Sequence, residues 1–383
     1  MDARTQRGTA LLDGSRLIAE SCARAGADAY IGYPITPASL IYSYASRRFP
    51  ATLPAPDEIT ALQWMSGLSA AGKLPVTATS FPGLALMVES INMATMMELP
   101  MLIVLVQRLG PSTGTATAGA QDDLRFLHGI ISGGYPIPVF CIADIDDCWS
   151  LPPVALQTAV DLRTPVVLLT SKEMVMTERS YDLGRLGEIE PVDRPVYAGP
   201  APYRPYGATD AEAPPFLPIG SDQHQVRMTA STHNQEGILQ HASLEALDNT
   251  RRLPAKVEAG TPALYHLEEA KGLGDGAHAD ALIVTYGISS GAAREAARIL
   301  AEQGRAVSLL VARTLVPVPH VYYQILDRYR RADTPVIFVE ENLQGQFASI
   351  LFGERRPEGV GVVADIGHMI RPDDIVREVR RCL

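Results

Sequence analysis

Residues 99–106 form the most apolar stretch of the chain, and they constrain its fold more than any other segment. The stretch is too short for a helix that spans a bilayer. A short apolar run of this kind predicts a strand that is buried on both faces. Such strands belong to parallel sheets that are covered by helices on both sides, so the segment predicts an α/β fold.

Strand and helix signals alternate along the first part of the chain. Apolar runs predict strands at 29–31, 76–79, 101–106, 138–142 and 166–169, and helical spacing predicts helices at 9–25, 38–46, 57–71 and 84–97. Residues 80–83 predict a turn of mostly small side chains. Strands separated by helices of this length form a parallel sheet, so we predict a first domain of this kind over residues 1–185.

The composition changes after about residue 181. Residues 191–218 carry many prolines and little periodicity, which predicts a linker or extended arm. The alternation then resumes, with predicted strands at 281–284, 307–311, 336–339 and 360–363 and predicted helices at 289–303 and 373–381. The sequence thus predicts a linker and arm over 186–260 and a second, smaller α/β domain over 261–383.

The overall composition narrows the function classes. The net charge of −10 argues against nucleic acid or an anionic membrane as the main partner. The four cysteines form no C-x-x-C pair and no cluster with histidine, so we expect no metal site built by this chain alone. The N-terminus lacks the apolar core of a signal peptide, which together with the few cysteines favours a cytoplasmic protein.

Two prolines flank a single hydroxyl in the segment Tyr33-Pro34-Ile35-Thr36-Pro37. Proline restricts the backbone and removes an amide donor, so the segment predicts a stiff loop after the first predicted strand. Loops at this place in an α/β sheet bind ligands, which makes Thr36 a candidate contact. An ordinary strand-to-helix turn explains the segment equally well.

Glu58 stands near the start of predicted helix 57–71, between Asp57 and Ile59. A first-turn carboxylate that complements the helix dipole is the simplest explanation, and it suits Asp57 as a cap. It suits Glu58 less if the side chain points inward with Leu62. A carboxylate in a mostly apolar cleft can share a proton with a ring nitrogen, so Glu58 is a candidate for acid–base chemistry.

Arg108 ends predicted strand 101–106, at the sheet edge where ligands of such folds bind. A guanidinium there can hold a carboxylate with two hydrogen bonds, and a salt bridge to a nearby acid such as Asp122 is the alternative. The loop 110–119 that follows is rich in Gly, Ser, Thr and Ala. Its amides and hydroxyls, including those of Ser112 and Thr113, suit an anionic ligand.

These residues occur in the order seen in one family. The chain resembles the alpha subunit of 2-oxoacid:ferredoxin (acceptor) oxidoreductases, which include the 2-oxoglutarate and pyruvate ferredoxin oxidoreductases. The resemblance covers nearly the whole chain. It rests on YPITP at 33–37, Glu58, TSFPG at 79–83, ELP at 98–100, QRLGPSTG at 107–114, QDDL at 121–124 and ENLQGQ at 341–346.

The resemblance implies a domain that binds the pyrimidine half of thiamine diphosphate, followed by a transketolase C-terminal-like α/β domain. It implies that Glu58 contacts N1′ of the aminopyrimidine and activates the cofactor, with Thr36 and Arg108 as the other catalytic residues. The residues that it implies for the cofactor are Tyr33, Pro34, Ile35, Thr36, Glu58 and Phe81. The residues that it implies for the substrate are Thr36, Arg108, Ser112 and Thr113.

The implied reaction is the oxidative decarboxylation of a 2-oxoacid, usually to an acyl-coenzyme A, with electrons passed to ferredoxin or a similar acceptor. The chain lacks the family's Mg²⁺–diphosphate motif, because Gly-Asp-Gly at 274–276 has no asparagine at a suitable distance and predicts a turn. The resemblance therefore implies a beta subunit that holds the Mg²⁺ site and a [4Fe-4S] cluster. Gamma and ferredoxin-like subunits are further implied partners, and the chain alone is expected to be inactive.

The sequence departs from the family pattern at three places. Phe81 replaces the glycine of a Ser-Gly-Pro-Gly turn, and a ring there narrows the pocket near the cofactor. Ala116 stands where proline is common, and residues 130–134 read Ile-Ile-Ser-Gly-Gly instead of the frequent Gly-His-Gly-Glu. These departures motivate two alternatives: a non-catalytic structural or regulatory subunit of such a complex, and a subunit of a non-oxidative thiamine decarboxylase.

Overall fold

The structure is a computed structural model that describes residues 8–270 and 279–383. The turn predicted at 274–276 lies outside the described residues. Within these two ranges, no helix combines the length and the apolar composition that crossing a bilayer requires.

Strands and helices are numbered along the described chain. The strands are β1 (Thr9–Leu12), β2 (Ala29–Gly32), β3 (Ala51–Pro54), β4 (Pro75–Thr79), β5 (Met101–Gln107), β6 (Val139–Cys141), β7 (Pro165–Ser171), β8 (Arg179–Asp182), β9 (Tyr265–Glu268), β10 (Ala281–Tyr286), β11 (Val307–Ala312), β12 (Thr314–Val316), β13 (Val336–Glu340) and β14 (Val360–Ala364). The helices are α1 (Gly14–Arg24), α2 (Ser39–Arg48), α3 (Glu58–Ala70), α4 (Phe81–Met96), α5 (Leu124–His128), α6 (Asp147–Leu162), α7 (Lys172–Met176), α8 (Leu244–Gly260), α9 (Ser289–Glu302), α10 (His320–Arg331), α11 (Gln346–Phe352) and α12 (Pro372–Cys382).

The larger sheet has the strand order β12-β6-β7-β5-β4-β2-β3. Neighbouring strands pair in parallel, except that β12 pairs antiparallel with β6 at one edge. β5 lies between β7 and β4, and every one of its residues is buried. The predicted α/β fold with a parallel sheet is confirmed.

Helices cover both faces of this sheet. Ile103 and Leu105 of β5 pack in a layer with α3 and α4, whereas Leu102 and Val104 pack with α1, α2 and α6. Successive side chains of a strand point to opposite faces. A strand between two helix layers therefore needs the continuous apolar run seen in the sequence.

The smaller sheet has the order β14-β13-β10-β11-β9 and is parallel except for β9, which pairs antiparallel with β11. Helices α9 and α12 contribute to the apolar core on one face, and α10 and α11 pack toward the core that also contains α3 and α4. β12 follows β11 in the chain but pairs with β6 of the larger sheet. The two halves of the chain thus share a core and a sheet edge, and the domain boundaries stay a prediction.

A buried ionic cluster ties residues 186–260 to the first half of the chain. Glu98 accepts hydrogen bonds from Arg252 and Lys256 of α8, and these three side chains are at most 2% exposed. Arg163 donates to the backbone carbonyl of Glu98 and to three proline carbonyls of the arm, those of Pro205, Pro214 and Pro215. Buried ionic groups need such partners, so the cluster fixes the arm in place.

The charges of this cluster shift two pKa values. Burial opposes the ionisation of Glu98, but the charges of Lys256 and Arg252 outweigh burial and lower the pKa of Glu98 to about 2. Burial lowers the pKa of Lys256 to about 8, although Glu98 opposes that shift. The cluster therefore holds an ionised carboxylate among three basic side chains at neutral pH.

The predicted helix 9–25 is wrong at its start. Thr9–Leu12 is strand β1, which pairs antiparallel with β8. The helix begins at Gly14, after Asp13 accepts a hydrogen bond from the amide of Arg16 at 2.8 Å. The pairing strand is distant in sequence, so local apolar spacing does not reveal it.

The predicted turn 80–83 is also wrong, because α4 already begins at Phe81. Pro82 lies in the first turn of that helix, where no amide donor is needed. Sequence reasoning also missed α6 and α8, which carry prolines inside the helix. Proline normally ends a helix, so these segments gave no helical signal.

Candidate active site

The carboxyl ends of β2, β4 and β5 meet at one edge of the larger sheet, because β4 lies between the other two and all three run parallel. The loop 33–37 follows β2, α4 follows β4, and Arg108 follows β5. Strand β3 lies beyond β2 and leads to Glu58 at the start of α3. Ligands of open parallel sheets bind at this edge.

Glu58 is the first residue of α3, and it is 6% exposed. Its neighbour Asp57 caps the helix by accepting from the amide of Thr60 at 2.7 Å. The Glu58 side chain lies against Gly83, since a methyl group added to Gly83 would stand 2.6 Å from Glu58 Oε1 and 2.1 Å from Thr79 Oγ1. Asp57 thus serves the helix end, and across the described ranges no donor hydrogen-bonds to the Glu58 carboxylate.

Arg108 is 5% exposed and donates through Nη1 to the backbone carbonyl of Thr36. Its Nε is buried and has no hydrogen-bond partner in the part of the chain that the structure describes. Burial lowers the pKa of Arg108, and the charge of Asp123 opposes that shift. The alternative partner, Asp122, instead accepts from the amide of Gly110 at 3.4 Å.

The loop 33–37 presents its residues in different directions. Tyr33 is 43% exposed, whereas Ile35 packs against the core layer of α1, α2 and α6. Thr36 is half-buried, and its carbonyl is held by Arg108. The structure therefore joins Thr36 and Arg108, while it directs Ile35 toward the protein core.

Phe81, the first residue of α4, contacts the ring of Phe126 edge to face, with ring centroids 5.3 Å apart. Phe126 belongs to α5, just before the 130–134 segment that departs from the family pattern. The larger side chain at position 81 is thus packed against a neighbouring aromatic ring and is half-buried. The departure at position 81 therefore packs on the helix that leads into the departure at residues 130–134.

The loop 110–119 folds back on itself. Leu109 and Thr115 form an isolated antiparallel bridge, and a Cβ on Gly114 would stand 1.6 Å from the carbonyl oxygen of Leu109. Ser112 and Thr113 lie at the exposed tip. Within the described residues, no hydrogen bond joins them to Thr36 or Arg108, so the structure does not bring this predicted pair into direct contact with the other site residues.

Sequence reasoning missed Gly83 and Asp123 as parts of this edge. Asp123 is 4% exposed, and its Oδ2 has no hydrogen-bond partner among the described residues. Burial and the charge of Asp122 raise the pKa of Asp123 to about 7, with Arg108 opposing. Both residues lie in motifs quoted above, TSFPG and QDDL, but neither motif shows which side chain meets Glu58 or Arg108.

A cavity of about 590 Å³ lies at the opposite edge of the sheet. Its lining includes Leu74 and Pro100, which precede β4 and β5, and Phe216 of the arm. Glu58 and Arg108 lie at the other ends of the strands and do not line it. This cavity is therefore separate from the candidate site.

Comparison with known proteins identifies the family. The family described as pyruvate flavodoxin/ferredoxin oxidoreductase, thiamine diphosphate-binding, matches residues 20–252, which include Thr36, Glu58 and Arg108. The 2-oxoglutarate synthase subunit KorA of Archaeoglobus fulgidus is 30% identical over 337 residues, or 87% of this chain and 88% of that protein. The 2-oxoglutarate oxidoreductase subunit KorA of Mycobacterium tuberculosis is 30% identical over 358 residues, and the match spans 92% of this chain and 53% of that protein.

Two solved structures are similar to the chain. The first is a 2-oxoglutarate:ferredoxin oxidoreductase from Magnetococcus marinus with 2-oxoglutarate, coenzyme A and succinyl-CoA bound. It has a TM-score of 0.90 and 27% identity, over 100% of this chain and 66% of that chain. The second is an inactive β4 tetramer of a split-gene transketolase, with a TM-score of 0.56, 16% identity and 98% of this chain and 99% of that chain covered, which shows a shared fold alone. The chain therefore belongs to the pyruvate flavodoxin/ferredoxin oxidoreductase family, with the alpha subunits of 2-oxoacid:ferredoxin oxidoreductases, as its motifs predicted.

Proposed function

We propose that this chain is the alpha subunit of a thiamine diphosphate-dependent oxidoreductase that oxidatively decarboxylates a 2-oxoacid and passes the electrons to ferredoxin or a similar acceptor. The observation that carries the proposal is the placement of a buried carboxylate, Glu58, with no hydrogen-bond donor among the described residues, at the same sheet edge as a buried guanidinium, Arg108. Family membership and the names of the relatives support it.

The residues around Glu58 fit the aminopyrimidine half of thiamine diphosphate. Gly83 lets the carboxylate lie against the first turn of α4, in a cradle that a Cβ would fill. The Ser80 hydroxyl is buried and unpartnered within residues 8–270 and 279–383, and such groups are normally satisfied by a ligand or water. A carboxylate and a hydroxyl suit the polar edge of a heterocycle, and Phe81 suits its apolar face.

Thiamine diphosphate, when bound, supplies the electron sink for decarboxylation. This chain's own part is then to hold and move a proton at the Glu58 carboxylate, which lies at the sheet edge and accepts no hydrogen bond from the residues that the structure describes. On the substrate side, the Arg108 guanidinium offers charge-assisted donors to the carboxylate of a 2-oxoacid, since only its Nη1 is engaged within the described residues. The bond from Arg108 to the Thr36 carbonyl orients the loop that carries the Thr36 hydroxyl.

Several parts of the proposed reaction belong to partners. We assign the Mg²⁺ and diphosphate site and a [4Fe-4S] cluster to a beta subunit, because no group of three metal-ligating side chains is found among the described residues. Gamma and ferredoxin-like subunits are further proposed partners, and coenzyme A is the proposed acyl acceptor. The four cysteines are free thiols, three of them buried, which suits our assignment of the complex to the cytoplasm.

The test of this function is to purify the chain with its partner subunit and to assay a panel of 2-oxoacids that includes 2-oxoglutarate and pyruvate. We expect bound thiamine diphosphate and iron, and a substrate-dependent reduction of ferredoxin or viologen that requires both subunits. Release of CO₂ without acceptor reduction would favour the non-oxidative decarboxylase instead. Absence of thiamine diphosphate from the assembled complex would favour the non-catalytic subunit.

Replacing Gly83 with alanine tests how Glu58 is held. The added methyl group would stand 2.6 Å from Glu58 Oε1 and 2.1 Å from Thr79 Oγ1, so the carboxylate must move. A displacement of this size at a catalytic group costs activity on the order of 10²-fold. We expect that loss in kcat/KM of the assembled enzyme.

Gly67→Ala is the matched control, because a Cβ at this exposed position of α3 meets nothing within 4 Å. Alanine is the better helix former, so this variant should be about 1 kcal/mol more stable and equally active. Full activity in Gly83→Ala would show that the position of Glu58 is not set by Gly83.

A further inference from the structure

Gln121 joins the candidate site to the second half of the chain. Its Nε2 donates to the carbonyl of Tyr286 at 2.8 Å, and its Oε1 accepts from Ser289 Oγ and from the amide of Glu341, both at 2.7 Å. The backbone amide of Gln121 also donates to the carbonyl of Glu341 at 2.7 Å. The side chain is fully buried, where polar atoms need hydrogen-bond partners, and both of its polar atoms find them in the second half of the chain.

Gln346, the first residue of α11, holds the adjoining segment from the other side. Its Nε2 donates to the carbonyl of Asp122 at 2.8 Å, and its Oε1 accepts from the amide of Arg125 at 2.8 Å. Gln346 is 7% exposed. Two glutamine side chains therefore fix the backbone of residues 121–125 from both directions.

The fixed segment in turn contacts the residues around Arg108. Asp122 accepts from the amide of Gly110, and the amide of Asp123 donates to Gln107 Oε1, each at 3.4 Å. The charge of Asp123 acts on Arg108, and Arg108 donates to the carbonyl of Thr36. A series of hydrogen bonds thus runs from α11 to Gln107 and Gly110, which flank Arg108 in the chain, and Arg108 itself holds the loop after β2.

We propose that Gln121 and Gln346 are positioning residues through which the second half of the chain sets the orientation of Arg108 and thereby the affinity for the 2-oxoacid. The inference rests on the proposed function, in which Arg108 binds the substrate carboxylate. Hydrogen-bonded networks of this kind can carry an effect between sites that do not touch. A purely structural junction would instead lower stability and every kinetic constant together, without acting through Arg108.

The test uses the assembled complex and the variant Gln346→Leu, which removes the bonds to Asp122 and Arg125. We expect KM for the 2-oxoacid to rise about tenfold, as loss of a hydrogen bond to an aligned group implies, with kcat changed less than about threefold. The affinity for thiamine diphosphate should change less than KM does, because Glu58 and Gly83 lie outside this series and only the loop 33–37 at its end belongs to the residues implied for the cofactor. Amide hydrogen exchange in residues 107–125 should become faster, which gives a readout independent of activity.

Gln344→Ala is the matched control. Gln344 is an exposed glutamine two residues away, and its hydrogen bonds to other described residues are made by its backbone. This variant should leave KM and hydrogen exchange unchanged. An equal rise of KM in Gln344→Ala would overturn the inference.

A double-mutant cycle with Arg108→Ala decides whether the effect passes through Arg108. Arg108→Ala alone should raise KM by about tenfold or more. If Gln346 acts through Arg108, adding Gln346→Leu to the Arg108→Ala variant should raise KM further by less than about twofold. Independent, multiplying effects would overturn the positioning role while leaving Arg108 as a substrate contact, and an unchanged KM in Arg108→Ala would overturn both assignments.

If Gln346→Leu does not assemble, Gln346→Glu takes its place in the same cycle. Glutamate keeps an acceptor for the amide of Arg125 and removes the donor to the carbonyl of Asp122. We expect Gln346→Glu to raise KM by the same factor in the wild-type background and to have little further effect on KM in the Arg108→Ala background. No change of KM in this variant would overturn the inference.

Discussion

Replacing Glu58 with glutamine is expected to lower kcat of the assembled enzyme by about 10²–10⁴-fold, the range that a positioned acid–base group contributes. Glutamine has nearly the same size, so it preserves the packing of this buried position against Gly83. It cannot hold a transferable proton at the former Oε. The subunits should therefore assemble and bind thiamine diphosphate, as measured by equilibrium dialysis, while turnover with the best 2-oxoacid is lost.

Asp57→Asn is the control for this variant, because it removes the same charge one residue away. Asn is as good a helix cap as Asp, so α3 should keep its start and the enzyme its activity. If the Glu58→Gln enzyme binds the cofactor and keeps more than about a tenth of the wild-type kcat, Glu58 has no acid–base role. A loss of cofactor binding with normal kcat at saturation would assign Glu58 to binding alone.

Strands such as β5, β10 and β13 could be predicted because each one is specified locally. These strands are buried on both faces, so their segments are apolar along nearly their whole length. Such a run can be recognised without knowing which strands it pairs with. The short edge strands β3, β9 and β12 were not predicted. β1 could not be predicted in this way, because its pairing with β8 is a contact between distant segments. Helix α6 was missed for a different reason. It contains Pro152 and Pro153, and proline usually breaks a helix, so the sequence does not indicate one there.

The candidate site shows the same division. Thr36, Glu58 and Arg108 follow predicted strands, and the carboxyl ends of neighbouring parallel strands must lie at one edge, so their approximate proximity was predictable. The individual side-chain contacts within the site were not predictable. The contact of Gly83 with Glu58 depends on how α3 and α4 pack, and the bond from Arg108 to a backbone carbonyl leaves no trace in the sequence.

The buried cluster around Glu98 is the strongest example of a contact that sequence alone does not reveal, and it has the largest expected effect on stability. Glu98→Gln keeps the shape of the side chain but leaves Arg252 and Lys256 without the carboxylate that they bind. Removing one partner of a buried ion pair costs about 3–5 kcal/mol. We therefore expect the thermal midpoint of the chain to fall by about 5 °C, given the entropy of unfolding for a protein of this size.

The pH dependence separates this role from a general loss of packing. Because the pKa of Glu98 is lowered to about 2 from its usual 4.5, its ionised form contributes stability that is present above pH 4.5 and lost as the pH falls toward 2. Glu98→Gln should lose stability at pH 7 and show a flatter acid limb over that window in urea titrations. Glu89→Gln, at an exposed position of α4, which ends just before Glu98, should match the wild type at every pH, since an exposed charge contributes little to stability. A steep acid limb that survives in Glu98→Gln would mean that other carboxylates set the acid stability and that the cluster fixes the arm by shape rather than by charge.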